Sequence, residues 1–350
     1  MLLNISYRAQ IFALPCGFAP TPGHLVASGF IRTAFHDMAP ANNNTGIGGL
    51  DGSIGFELEG DYAVANAGLA FNATITYYSR FYNSQASVSD LIALGLYSSV
   101  RGCGGPAVKI KAGRIDATQA GPLGAPLTTD SESTFVLDFA RMGFSPTEMI
   151  QVVACGHTMG GVHSAEFPQR VPNGTTPQGV ANFDSAFQTF DNKVAVEYMN
   201  GSSQDVLIIG LAMESRSDLR AFASDGNITI KSMTSPTTFT EGCAGILQKM
   251  IEVVPAGVQL SASIVPYDVK PGHLQLSVIE GGDLLEFTGE IRVRTTQLGA
   301  SSIVSVLLTY QSRNGSQCSV CTISTSVLGT AAGFDDSFTV GASKLSKSIL

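Results

Sequence analysis

The hydrophobic period of this chain changes once, near residue 258, and that change restricts it to two bodies of different class. Before that point, apolar residues recur at helical spacing over 22–38, 61–82, 87–101, 130–142, 146–160 and 239–254. After it come short alternating runs broken by turn residues: Leu274–Ile279, Glu286–Val293 and Ile303–Tyr310. A stripe every 3.6 residues must be buried against other helices, and an alternation of period two against a second sheet layer. The expectation is a mainly helical domain over 1–255 and a small antiparallel β-sandwich over 256–350.

Local signals agree with the helical part. Ser87 and Ser145 stand at N-cap positions, and Pro146 follows Ser145 as a first helical residue. Pro40 and the run Asn42-Asn43-Asn44-Thr45-Gly46 end the first helix. Charged residues make up 14% of the chain, the formal net charge is −8 and no basic run exists, so no nucleic-acid partner is expected. No apolar run reaches the roughly 18–20 residues that span a bilayer, so no membrane partner is expected either. Asn4, Asn43, Asn72, Asn173, Asn200, Asn227 and Asn314 each begin an Asn-X-Ser/Thr acceptor pattern, which is useful only in a secreted protein. No signal peptide is visible, because Met1-Leu2-Leu3 runs straight into polar residues. A secreted, monomeric glycoprotein whose leader lies outside this sequence is expected. Six cysteines permit disulfides: Cys318 and Cys321 suit a tight local bridge, while Cys155 and Cys243 are open to pairing or to remaining buried thiols.

Two histidines carry the chemistry. Arg32 and His36 are four residues apart, so on a helix they share a face. A base and a fixed positive charge on one face are what heterolysis of a peroxide needs: the base moves a proton between the oxygens, and the cation stabilises the oxygen that leaves. Phe35 stands beside the histidine and can limit access. His157 ends the apolar helix Met149–Gly156, where a neutral imidazole can hold an iron. Asp37, Gly49, Asp51 and Ser53 cluster hard oxygen donors about a glycine turn, a set that suits Ca²⁺.

Arg32-Thr33-Ala34-Phe35-His36-Asp37, the following Gly48-Gly49-Leu50-Asp51-Gly52-Ser53 and the later Gly156-His157-Thr158 resemble the plant and fungal haem peroxidase superfamily. The likeness covers roughly residues 16–255, and secreted fungal class II-like peroxidases of the type often followed by sugar-binding WSC domains are nearest in texture. It implies two helical halves that sandwich haem b. It implies Arg32 and His36 as the distal pair, Asn66 as the residue that orients His36, and His157 as the proximal iron ligand. Asp218 resembles the carboxylate behind that ligand, and Phe183 the aromatic under the haem. Asp37, the Gly49 carbonyl, Asp51 and Ser53 resemble a distal calcium site; Thr158, Asp184, Ala186 and Asp191 resemble a proximal one. At Ala186 the family often has a threonine, so only a backbone carbonyl is offered there. Gly113-Arg114-Ile115-Asp116 and Pro126 match smaller family segments, and Cys16 and Cys103 match positions that pair across the distal half.

The departures from the family narrow the substrate. There is no tryptophan, hence no surface indole radical site. Leu25 and Gly29 stand where manganese peroxidases carry glutamates. The expected reaction is therefore reduction of hydrogen peroxide by small phenolic donors at an exposed haem edge. The rival is a secreted adhesion or carbohydrate-binding protein with a vestigial peroxidase fold and a cell-wall glycan as its partner; the sequence assigns no role to the β domain. A calcium-dependent hydrolase using His36 and Asp37 lacks any Gly-X-Ser-X-Gly nucleophile context.

Overall fold

The computed structural model describes residues 14–282, 284–297, 299–310, 321–333 and 335–348. The chain forms two compact units, Ala13–Ile264 and a second that contains Val265–Leu350.

Ten α-helices among the described residues build the first unit: α1 (Val26–Met38), α2 (Ala70–Tyr78), α3 (Val88–Gly102), α4 (Glu132–Met142), α5 (Pro146–Gly156), α6 (Lys193–Asn200), α7 (Val206–Ile209), α8 (Ser217–Ala223), α9 (Ile228–Ser232) and α10 (Pro236–Glu252). α1 buries Phe30, Ile31, Ala34 and Met38 at helical spacing. It packs on α2 and α3, and a buried hydrogen bond from Thr33 to Thr74 (3.0 Å) joins α1 to α2. α3 starts on Ser87, whose side chain accepts from the Asp90 amide. α5 starts on a capping box between Ser145 and Glu148 with Pro146 in the first turn, and stops at His157. α10 lies against α5.

Two disulfides fasten this unit. Cys16 pairs with Cys103 at the end of α3, and Cys155 on α5 pairs with Cys243 on α10. Cys318 lies outside the described residues, so the Cys318–Cys321 expectation is not addressed. The Gly113–Asp116 segment is a structural clasp. Arg114 is buried, pairs with Asp90 (2.8 Å) and donates to the Ile251 carbonyl, while Asp116 accepts from the first amides of α3.

The helix expected over 61–82 is α-helical only over Ala70–Tyr78, with a 3₁₀ turn at Gly60–Tyr62. Gly60 and Gly68 take positive φ (62° and 110°), which breaks the helix. The loop between them bends so that Asn66 donates from Nδ2 to the Glu57 carbonyl (2.9 Å). Between α5 and α6 a short antiparallel pair, β1 (Gly161–His163) and β2 (Val180–Asn182), aligns Gly161 with Asn182 and His163 with Val180.

The second unit is antiparallel. β3 (Val269–Ile279), β4 (Leu284–Arg294), β7 (Ser326–Ala332) and β8 (Ser337–Ser348) form one sheet in the order β3-β4-β8-β7. β5 (Leu307–Thr309) and β6 (Thr322–Ser324) form a separate two-stranded ladder. Ile291, Ile323 and Phe338 are its buried apolar side chains among the described residues. Leu274, Leu276 and Val278, the alternating set on which a buried face was expected, are instead exposed.

Candidate active site in the helical unit

The site lies in one cavity of about 550 Å³ in the helical unit, inside the usual size range for cofactor pockets. α1 supplies Arg32, Phe35 and His36 to its wall; the end of α5 supplies His157, and the segment after β2 supplies Phe183. Two imidazoles from distant parts of the chain thus open on one space.

Each imidazole has its Nδ1 atom engaged. His36 Nδ1 is 2.9 Å from Asn66 Oδ1. Asn66 spends its Nδ2 on the Glu57 carbonyl, so its Oδ1 must be the atom turned to the ring. That oxygen only accepts; His36 therefore donates from Nδ1 and keeps the lone pair on Nε2. Burial first, and then the Arg32 charge, push the His36 pKa down to about 3 against the opposing Asn66 bond, so the ring is neutral at physiological pH. His157 Nδ1 lies 2.6 Å from Asp218 Oδ2, and Ser217 donates to the other carboxylate oxygen (3.0 Å). An acceptor-only carboxylate again fixes the proton on Nδ1 and leaves Nε2 free. Asp218 is buried, and burial plus the Asp218 charge push the neighbouring Asp205 carboxyl well up.

Arg32 lies with its guanidinium 4.6 Å from the Phe71 ring centre, and the His36 ring packs on the same phenyl at 4.8 Å. Burial pushes the Arg32 pKa down to about 10 while Glu166 opposes, so the side chain remains a cation. Gly68 leaves room for both partners: a Cβ there would stand 3.2 Å from Glu166 Cγ and 3.3 Å from Arg32 Nη1. Phe35 meets the His36 ring edge-on at 5.6 Å, and Phe183 stacks on the His157 ring at 4.3 Å and 10°. Leu25, Gly29 and Pro126 also line the cavity.

The oxygen clusters flank this centre. Asp37, fully buried beside His36, accepts from the amides of Gly52 (2.8 Å) and Ile54 (2.9 Å). Burial, with the Asp51 and Glu57 charges adding to it, pushes its carboxyl up to about 8. Asp51 Oδ1 accepts from Ser53 N at 3.0 Å. Gly49 must be glycine: at φ 128° its Cβ would lie 2.9 Å from the Val253 carbonyl oxygen. On the other side Thr158 donates to the Asp191 carbonyl and Asp184 accepts from Ala186 N (2.8 Å). Asp184 is buried, its Oδ2 has no hydrogen-bond partner among the described residues, and burial pushes its carboxyl up to about 7. Carboxyls crowded and desolvated in this way are relieved by a bound cation.

His24, His163 and Glu166 also line the cavity and were not anticipated. The separation of 139 positions between His24 and His163 hides their proximity, which arises when β1 folds back and His163 Nε2 reaches the Gly23 carbonyl (3.0 Å).

Residues 19–235 match the sequence profile of the family described as peroxidase. The chain belongs to the peroxidase family. It is 49% identical over 345 residues to a WSC domain-containing protein of Arthroderma benhamiae, covering 97% of this chain and 48% of that protein. It is 32% identical over 138 residues to putative L-ascorbate peroxidase 6 of Arabidopsis thaliana, covering 38% of this chain and 41% of that protein. Probable L-ascorbate peroxidase 4, peroxisomal, of Oryza sativa subsp. japonica is 28% identical over 182 residues, or 51% of this chain and 57% of that protein. The chain thus spans about half the length of the curated relatives it matches. No helix among the described residues is long and apolar enough to cross a membrane.

Proposed function

We propose that this protein is a secreted, haem b-dependent peroxidase that reduces hydrogen peroxide at the expense of small phenolic donors. The observation that carries the reading is the pair of imidazoles on one cavity, each with Nδ1–H bound to an acceptor and Nε2 left with its lone pair. Haem b would supply the redox-active iron. His157 would hold it, with Phe183 stacked on the imidazole and Asp218 making that imidazole a better donor. His36, neutral at working pH, takes a proton from the inner peroxide oxygen on Nε2 and returns it to the outer one. Arg32 stabilises the negative charge on the departing oxygen, and burial strengthens that interaction. Asn66 holds the His36 ring in the basic tautomer, and Phe35 narrows the approach.

Calcium is the second cofactor in this reading. Asp37, the Gly49 carbonyl, Asp51 and Ser53 form the distal set; Thr158, Asp184, Ala186 and Asp191 form a weaker proximal one. The unpartnered Asp184 oxygen and the raised Asp37 carboxyl support cation binding at both places. Secretion is supported by the sequons: Asn43, Asn72, Asn173 and Asn200 are exposed, while the Asn227 amide oxygen is occupied by Tyr198. A monomer with a separate antiparallel β unit, and a cell-wall glycan among its partners, completes the proposal.

The decisive experiment is the absorption spectrum of the secreted, haem-supplemented protein. A Soret band that shifts on addition of hydrogen peroxide and recovers with a phenol is expected. A colourless protein that binds glycans would overturn the enzyme and favour the vestigial fold.

A further inference from the structure

Behind the cavity wall lies a carboxyl that peroxide heterolysis does not use. Asp205 is fully buried and stands at the start of α7, where its Oδ1 accepts the Leu207 amide (2.8 Å). Leu207 packs with Val162, Val171 and Ala181, and Phe183 packs against the same cluster. α7 in turn lies on α8, and Asp218 in the first turn of α8 comes within hydrogen-bonding reach of Asp205. Leu207, Ser217 and Asp218 line the cavity on this side, and Asp205 sits beyond them.

Donors decide which of the two carboxyls carries the negative charge. Asp218 receives one on each oxygen, His157 Nδ1–H on Oδ2 and the Ser217 hydroxyl on Oδ1. Asp205 receives one on Oδ1, while no donor among the described residues reaches its buried Oδ2. A buried carboxylate oxygen without a donor is costly, and a second negative charge beside it adds to the cost. Protonation removes both costs: the carboxyl becomes neutral and its O–H is a donor. Burial first, then the Asp218 charge and last that of Asp184, push the Asp205 carboxyl well up against the opposing Leu207 bond.

We infer that Asp205 is a positioning residue for the proximal imidazole: as a carboxylic acid it donates from Oδ2 to Asp218 and shares the charge that Asp218 presents to His157. Asp218 is then held by three donors, which fix its rotation and with it the plane of the imidazole. A hydrogen bond to a carboxylate stabilises its charge and lowers its basicity. Asp218 therefore draws less on the Nδ1 proton, and His157 is less electron-rich than an imidazole backed by one carboxylate alone. The consequence for iron rests on the proposed reading of His157 as its ligand; the hydrogen bond itself does not.

Infrared difference spectroscopy of the haem-free full chain, at neutral pH with Ca²⁺ present, tests the hydrogen bond. The parent minus Asp205→Asn spectrum should show the carbonyl band of one protonated carboxyl. In the haem-loaded protein, the ferric–ferrous midpoint potential and the iron–histidine stretch test its consequence. Asp205→Ser still caps α7 but is too short to reach Asp218. It should lower the potential and raise the stretching frequency. Asp205→Asn keeps a donor in its amide and should stay close to the parent. Circular dichroism checks that each variant is folded; if Asp205→Ser is not, the infrared comparison decides without it. Absence of the carboxyl band overturns the inference, as does a potential that folded Asp205→Ser leaves unchanged. A parent that shows the band yet takes up no haem supports the Asp205–Asp218 bond and overturns the peroxidase reading instead.

Discussion

The proton on His36 is placed by a residue thirty positions away. Asn66 is locked by the Glu57 carbonyl, and only then does its oxygen dictate which imidazole nitrogen is basic. His36→Leu should leave haem bound and slow the reaction with peroxide by about 10²–10⁴-fold, the usual worth of a general acid–base group. Arg32→Leu should slow it as well. Asn66→Leu should fall between the parent and His36→Leu, because the base survives but its tautomer is no longer selected. Stopped-flow mixing with peroxide ranks the three; equal rates in parent and His36→Leu would reject the assignment. On the opposite side, His157→Ala should lose stable haem, and added imidazole should restore it, as read from the Soret absorbance. Arg32, His36 and His157 were legible because four-residue spacing and a helix end are local patterns. Glu166, His24 and His163 were not, since no local pattern announces a contact across 139 residues.

At the level of elements, the caps at Ser87 and Ser145 mark helix starts that the structure contains, and Ser131 caps a third that the sequence pattern does not mark. α6 to α9 escaped it because four to eight residues hold too little of a 3.6 period to be distinguished from loop. The loop after α1 is the element on which the calcium reading rests. Two of its amides, those of Gly52 and Ile54, donate to Asp37 and tie the end of α1 to residues 52–54, so whatever relaxes that loop moves His36. Chelation should therefore slow turnover and convert the spectrum to a six-coordinate, bis-histidine-like form that added Ca²⁺ reverses. Asp51→Ala should imitate chelation more closely than Asp191→Ala. Intact spectrum and activity after calcium loss proved by elemental analysis would leave these carboxylates as loop caps.

For the whole molecule, the helical unit contains every residue of the candidate site, and its cavity wall determines which donors it can serve. With Leu25 and Gly29 on that wall and no tryptophan in the chain, small phenols and the dye ABTS should be oxidised. Mn²⁺ and bulky high-potential aromatics should not. Steady-state assays with each donor check this, and efficient Mn²⁺ oxidation would refute the donor assignment.

The family match stops at residue 235, one residue before α10 begins. Yet the Val253 carbonyl just beyond α10 receives the Leu50 amide, Gly49 lies against Val253 and Val254, and Cys243 anchors α10 to the helix that ends in His157. α10 is therefore a keel beneath both imidazoles rather than an appendage to the catalytic unit. Cutting the chain after residue 235 should yield a protein that cannot retain haem, while cutting after Ile264 should yield one that does.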